Sequence, residues 1–297
     1  MAESLVIVVT GSNRGVGKGI VQLLAEQQHT QPLTIYATSR SGEDVGIRAS
    51  SPNEVVYSKL DIRDRSSIQS LFKSVQSQHS TVDILINNAA VCNDHGETPE
   101  TAAETVKTNY GGTRDMCAAF LSPENESRKP GARIVNVTSG YNSFSGYGSE
   151  VQDKFRSATT SADLDALSES YINTVARGQD AQQEAGWGAG ARSYKVSKAL
   201  INALTILLAK QHGDVLVNSC CPGWVDTAMG NMANGTPPKT PAEGARVPVR
   251  LAVGNLGPDG DADGDLGKQT EAISGRFFEN DSIIEPGWGR AKLWLES

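Results

Sequence analysis

A chain of 297 residues, 38% of them hydrophobic before glycine is counted, carries enough apolar material for a sizeable soluble core. Its formal net charge of -7 argues against nucleic acid or an anionic membrane as partner, while leaving room for a local arginine cluster that binds an anionic cofactor. Four cysteines (Cys92, Cys117, Cys220, Cys221) show no metal-ligand spacing, so no metal is expected and reduced thiols in the cytoplasm are the simplest reading.

The first apolar run, residues 5–9, is too short for a signal-peptide core and ends in Thr-Gly; it reads as a buried strand. Residues 17–27 follow as a helix with Ile20, Val21, Leu23 and Leu24 on one side. Residues 33–37 and 55–60 read as strands. Residues 66–75 form an amphipathic helix with Ile68, Leu71, Phe72 and Val75 at helical spacing. Strands are expected again at 82–86, 132–137 and 215–219, a helix at 193–210, a helix at 242–253 and a last strand at 275–278. Near-continuous apolar strands alternating with helices predict an α/β fold: one Rossmann-like, doubly wound parallel sheet with helices on both faces. The whole chain, 1–297, is expected to form one dinucleotide-binding catalytic domain. Residues 140–192 interrupt the rhythm as an insertion with helices at 151–157 and 162–177. Residues 254–267 read as a flexible Asp/Gly/Pro connector.

Between the first strand and first helix stand Thr10, Gly11, Ser12, Asn13, Arg14, Gly15, Val16 and Gly17. Glycines here allow a tight turn and close approach of backbone to a pyrophosphate, whose charge then faces a helix N-terminus. The spacing, G-x-x-x-G-x-G, differs from the commoner G-x-G-x-x-G, and a simple glycine-rich turn is the alternative. A site for the unphosphorylated dinucleotide usually closes the second strand with a carboxylate on the ribose hydroxyl. Here the strand ends Ala37-Thr38-Ser39-Arg40, without an acid. Arg40, with Arg14 from the glycine loop, is placed to pair with a 2′-phosphate, and NADP(H) is the expected cofactor.

Tyr194 and Lys198 lie four apart in the helix expected at 193–210, so they share a face; no other tyrosine of the seven has Lys at i+4. A nearby ammonium favours phenolate, so Lys198 is expected to lower the phenol pKa toward a working value.

With these residues in hand the sequence resembles the short-chain dehydrogenase/reductase family along nearly its whole length. The matching pieces occur in the family's order: residues 10–17, Asp61-Ile62, Asn87 through Ala90, Asn109, Ser139, Tyr194 with Lys198, and Pro222-Gly223. Within the family it looks most like the monomeric NADPH-dependent carbonyl reductases. Residues 107–115, Gly186-Trp187, residues 220–225 and the long insertion before Tyr194 carry that likeness. The resemblance implies reduction of ketones, aldehydes and quinones to alcohols by hydride transfer. Tyr194 would be the proton donor, Ser139 would hold the carbonyl oxygen, and Lys198 would contact the nicotinamide ribose. Asn109, in the helix before the strand at 132–137, would hold a water that passes protons to Lys198. Asp61 would accept from the adenine amine beside Ile62. Asn88 and Ala89 would line the ribose side, and Pro222, Gly223, Val225 and Thr227 would pass over the nicotinamide amide. Tyr141, Trp224 and Met229, with Ser139 and Tyr194, are expected to form the substrate pocket, with core packing the alternative for Met229. Cys221 is placed near the pocket mouth. The insertion would cover the face that tetrameric members use for association, so a monomer is expected.

Asp259 through Gly264 imitate the start of a calcium loop, but Thr270 stands where the loop needs its bidentate Glu, so a solvated connector is expected. The four histidines are scattered and suggest neither ligand nor base. Two other functions stay open on sequence: a dedicated biosynthetic ketoreductase or alcohol dehydrogenase using the same residues, and a non-catalytic NADP(H)-binding sensor.

Overall fold

The computed structural model describes residues 4–254, 256, 273–283 and 289–297. Strand β1 (Leu5–Thr10) runs parallel between β2 (Leu33–Ser39) and β4 (Ile84–Asn87), and β3 (Glu54–Lys59) lies outside β2. β5 (Arg133–Val137), β6 (Leu216–Cys220) and β7 (Phe277–Phe278) continue in parallel beyond β4. The chain therefore reverses its direction of travel across the sheet between β1 and β4, which opens a crevice beyond their C-terminal ends.

Period-two alternation in β1 divides the core. Ile7 and Val9 face helices α1 (Gly15–Glu26) and α9 (Pro241–Val253), packing with Ile20, Leu24, Ala245 and Ala252. Val6 and Val8 face the other layer, where Phe72 of α2 (Arg65–His79), Met116 of α4 (Gly112–Phe120) and Leu204 of α8 (Ser193–Gln211) are buried. Because both faces are covered, the inner strands are largely apolar, with buried exceptions such as Asn136 and Asn218, and this is why they read as near-continuous runs in the sequence.

The edge departs from the expected all-parallel sheet. β8 (Ala291–Lys292) pairs antiparallel with β7. A chain that returns directly can add an antiparallel strand, whereas a parallel one needs a crossover. Helix α1 starts two residues before its expected position, at Gly15, so the second and third glycines of the loop belong to its first turn. Two further helices frame the cofactor side. α3 (Pro99–Val106) is closed by reciprocal hydrogen bonds between Thr98 and Thr101, and a π-helical turn (Lys107–Gly111) joins it to α4.

The insertion contains α5 (Ser149–Ser157), α6 (Ser161–Val175) and a third, unexpected helix, α7 (Gln179–Glu184). Its interior is aromatic. Trp187 meets Tyr171 edge-on at 5.3 Å between centroids, and Phe155 and Phe144 do the same with Trp294 at 5.6 and 5.0 Å. This cluster is continuous with the core beneath α8. Most of the connector expected at 254–267, and the calcium-like run within it, lies outside the described residues.

Candidate functional site

A cleft of about 670 Å3 opens at the crevice beyond β1 and β4. Of the residues expected around the cofactor, Gly11, Asn13, Arg14, Gly15, Val16, Gly17, Arg40, Asp61, Ile62, Asn88, Ala89, Tyr194, Lys198, Pro222 and Thr227 line it. Ser12 does not: it is buried, and both its N–H and its hydroxyl donate to the Thr38 carbonyl, tying the glycine loop to the end of β2. Val225 is buried beside the cleft wall, and Gly223 stands over the Lys239 side chain with φ +87°.

The glycines are demanded by the close packing of the loop on its neighbours. A Cβ on Gly17 would meet the Gly11 carbonyl oxygen at 2.2 Å and Asn88 Nδ2 at 2.4 Å. Gly11 adopts φ +65° and lies against Ala89, where a Cβ would meet backbone at 2.8 Å. Thr10 Oγ1 accepts from the N–H groups of Asn88 and Ala89 at 2.9 and 3.0 Å, locking the β4 loop to the glycine loop. Neither Arg14 nor Arg40 has a carboxylate partner among the described residues, so both cations are left facing the cleft. No acid closes β2.

Asp61 is arranged otherwise than expected. Arg63 grips it from both sides, Nε to Oδ1 at 3.0 Å and Nη2 to Oδ2 at 2.7 Å, and the Arg63 N–H adds a third bond. This holds the Asp61 carboxyl below the usual carboxylate range. An adenine amine would therefore share the carboxylate with Arg63, a cleft residue that sequence reasoning missed.

At the other side of the cleft, the first turns of α8 present Tyr194 and Lys198. Lys198 Nζ donates to the Val137 carbonyl at the end of β5 at 2.9 Å and lies 5.5 Å from the centre of the Tyr194 ring. Lys198 is buried and Tyr194 is half-buried at the cleft wall, and loss of solvent around them governs their protonation. It pulls Lys198 down to about 8 and pushes the Tyr194 phenol upward, while a hydrogen bond with Ser139 acts on Tyr194 in the opposite sense. The expected lowering of the phenol by Lys198 is thus not what the protein alone produces. Desolvation of the phenol itself is the largest cause.

Asn109 is fully buried in the π-helical turn. Its Oδ1 accepts from Val91 N at 2.8 Å, and Nδ2 donates to the Val91 carbonyl and to Ser197 Oγ at 2.9 and 3.0 Å. Both amide hydrogens are engaged, so the side chain braces the β4 loop against α8. Ser139, half-buried just past β5, accepts from Tyr141 N at 3.1 Å.

The substrate-side residues diverge. Met229 lines the cleft, which favours the pocket over core packing. Tyr141 is 71% exposed, with the Lys195 ammonium 3.8 Å from its ring centre. Trp224, 37% exposed, is pinned by Nε1 to the Gly230 carbonyl at 2.9 Å. Cys221 is buried, where its Sγ accepts from Gly223 N and its pKa is raised by desolvation. Glu104 and Thr108 also line the cleft, and neither carried a site signal in the sequence, whereas Ala90, part of the matched run at 87–90, lines it as well.

Comparison with known proteins places this arrangement. The short chain dehydrogenase family profile matches residues 5–151, the half that carries the glycine loop and β1 to β5. Carbonyl reductase (NADPH) 1 of Bos taurus is 33% identical over 96% of this chain and 99% of its own length. The chain belongs to the short-chain dehydrogenase family. In this family the chain is also similar to (+)-neomenthol dehydrogenase of Arabidopsis thaliana, at 33% identity over 94% of this chain and 97% of that protein. Among solved structures it is similar to menthone neomenthol reductase from Mentha piperita, with a TM-score of 0.73 and 26% identity over 95% of this chain and 100% of that one. These short-chain dehydrogenase relatives match through the insertion and α8, beyond the segment the family profile covers.

Proposed function

We propose that this chain is an NADPH-dependent carbonyl reductase in which Tyr194 gives the proton to the substrate oxygen. The observation that carries the reading is one cleft with two arginines, free of ion pairs among the described residues, toward the β2 end and Tyr194 with Lys198 toward the β5 end. Gly11, Gly15 and Gly17 would admit the pyrophosphate to the N-terminus of α1, and Arg14 and Arg40 would take the 2′-phosphate. Asp61 and Ile62 would border the adenine, Asn88 and Ala89 the ribose, and Pro222 through Thr227 the nicotinamide side. Bound NADPH supplies the hydride. Ser139 would hold the carbonyl oxygen by a hydrogen bond, and the Tyr194 hydroxyl would protonate it as negative charge develops. A phenol kept protonated by burial is suited to that donation. Lys198, near its own titration point at neutral to mildly alkaline pH, would return a proton to Tyr194.

Tyr141, Trp224 and Met229 would form an aromatic, largely apolar pocket suited to flat ketones, aldehydes and quinones. With the insertion packed over α8, the chain would act as a cytoplasmic monomer; a stable tetramer in sedimentation would overturn that part. A second reading, a dedicated biosynthetic ketoreductase, is favoured by the equal likeness to the plant neomenthol dehydrogenase. A panel of quinones, aldehydes and cyclic monoterpene ketones separates the two. Comparable kcat/KM across the panel supports the broad reductase, and one ketone exceeding the rest by about 100-fold supports the dedicated enzyme.

A further inference from the structure

Helix α8 begins without a cap of its own. Arg192 precedes its first turn and offers no side-chain acceptor to the free N–H groups there. Those groups are met from the loop that follows β4, about a hundred residues earlier in the chain. Asp94 Oδ1 accepts from the main-chain N–H of Tyr194 at 3.1 Å and from Ser193 Oγ at 2.8 Å. Glu97 Oε2 accepts from the N–H groups of Ser193 and Arg192 at 2.8 and 3.2 Å. A second tie runs to the same loop. Ser197 Oγ donates to the Tyr194 carbonyl at 2.7 Å and accepts from Asn109, whose side chain holds both main-chain polar groups of Val91. The main chain of Tyr194 is therefore held at its N–H and at its carbonyl. Both restraints lead to a loop whose first residues, Asn88 to Val91, line the cofactor cleft.

Building on the reading of Tyr194 as proton donor, we propose that Asp94 is a positioning residue for the reaction. Its carboxylate fixes the start of the catalytic helix and couples that helix to the loop bordering the cofactor. Glu97 does the same for Arg192, the last residue of the insertion, so the insertion is anchored at the point where it meets the proton donor.

A carboxylate is more than a hydrogen-bond acceptor at this place, because its charge opposes formation of phenolate on Tyr194. The groups facing that phenol come from every neighbouring element. They are Lys198 on its own helix, Cys92 and Asp94 on the β4 loop, Ser139 past β5 and Cys221 past β6. Burial, Cys221, Cys92 and Asp94 raise the phenol, and Ser139 lowers it. Removing the Asp94 charge while keeping an oxygen acceptor should therefore lower it, and a merely structural role would not.

The test is the pH dependence of NADPH-driven reduction in Asp94→Asn and Asp94→Ala, with NADPH affinity measured separately by fluorescence titration. Asp94→Asn is expected to fold and to move the alkaline fall in kcat to lower pH, by about half a unit or more. Asp94→Ala is expected to lose about tenfold in kcat with NADPH affinity nearly unchanged. An Asp94→Asn enzyme with the native alkaline limb overturns the proposal, even if Asp94→Ala is unstable or inactive. Equal turnover in the native chain and Tyr194→Phe would overturn the underlying reading as well. Loss in Tyr194→Phe with an unmoved limb in Asp94→Asn would sink the role of Asp94 alone.

Discussion

The Lys198 ammonium lies 5.5 Å from the centre of the Tyr194 ring while its Nζ donates to the Val137 carbonyl. One side chain thus joins α8 to the end of β5. That contact draws a flexible residue into the interior, and its pKa falls to about 8.

The depressed lysine has a consequence for stability. The unfolded chain, with an ordinary lysine pKa of about 10.4, binds more protons than the folded one between about pH 8 and 10.4. The cost of burying this ammonium is fully present below pH 8 and is relieved as the pH rises through that window. Lys198→Met has no such proton. Urea denaturation at pH 7 and pH 10 should therefore show the native chain gaining about 2 kcal/mol relative to the variant. A difference independent of pH would contradict this.

Gly17→Ala should abolish NADPH binding. Its Cβ would stand 2.2 Å from the Gly11 carbonyl oxygen, a backbone atom that cannot swing aside. Isothermal titration on folded variant is the measurement, and a dissociation constant within about threefold of native would count against the glycine cradle.

Arg14→Ala and Arg40→Ala should each weaken NADPH by about ten- to 100-fold and leave NADH nearly untouched, because both guanidinium groups line the cleft with no ion pair among the described residues. The ratio of kcat/KM for the two cofactors reads this directly. Parallel losses with both cofactors would mean that the arginines do not recognise the 2′-phosphate.

Trp187→Ala should destabilise the protein by about 3–5 kcal/mol, since the ring is 1% exposed and packs edge-on against Tyr147, Phe155 and Tyr171. Thermal unfolding is sufficient to check it. A change under about 1 kcal/mol would show that the insertion contributes little to the common core.

Much of this architecture is legible in the amino-acid sequence, for a physical reason. Strands covered on both faces are mostly apolar, so β1 and β4 announce themselves, and Tyr194 with Lys198 share a helical face by spacing alone. The features that escape are those fixed by distant partners. Asp94 and Glu97 look like solvated acids in a polar loop until α8 closes on them. Arg63 reads as a surface cation, yet it occupies the carboxylate assigned to adenine. α7 is polar apart from Ala181 and buries only Gln182, and β8 is two residues long, so neither has an apolar period to find. The desolvation that raises the Tyr194 phenol, where a lowering was expected, is likewise a property of the assembled core.

The measurement that tests the central claim most directly is cofactor oxidation with a simple quinone, comparing NADPH with NADH for the native chain and Tyr194→Phe. The account predicts turnover with NADPH, little with NADH, and a loss of about 100-fold or more in Tyr194→Phe while NADPH still binds. Native-level turnover in Tyr194→Phe would contradict it.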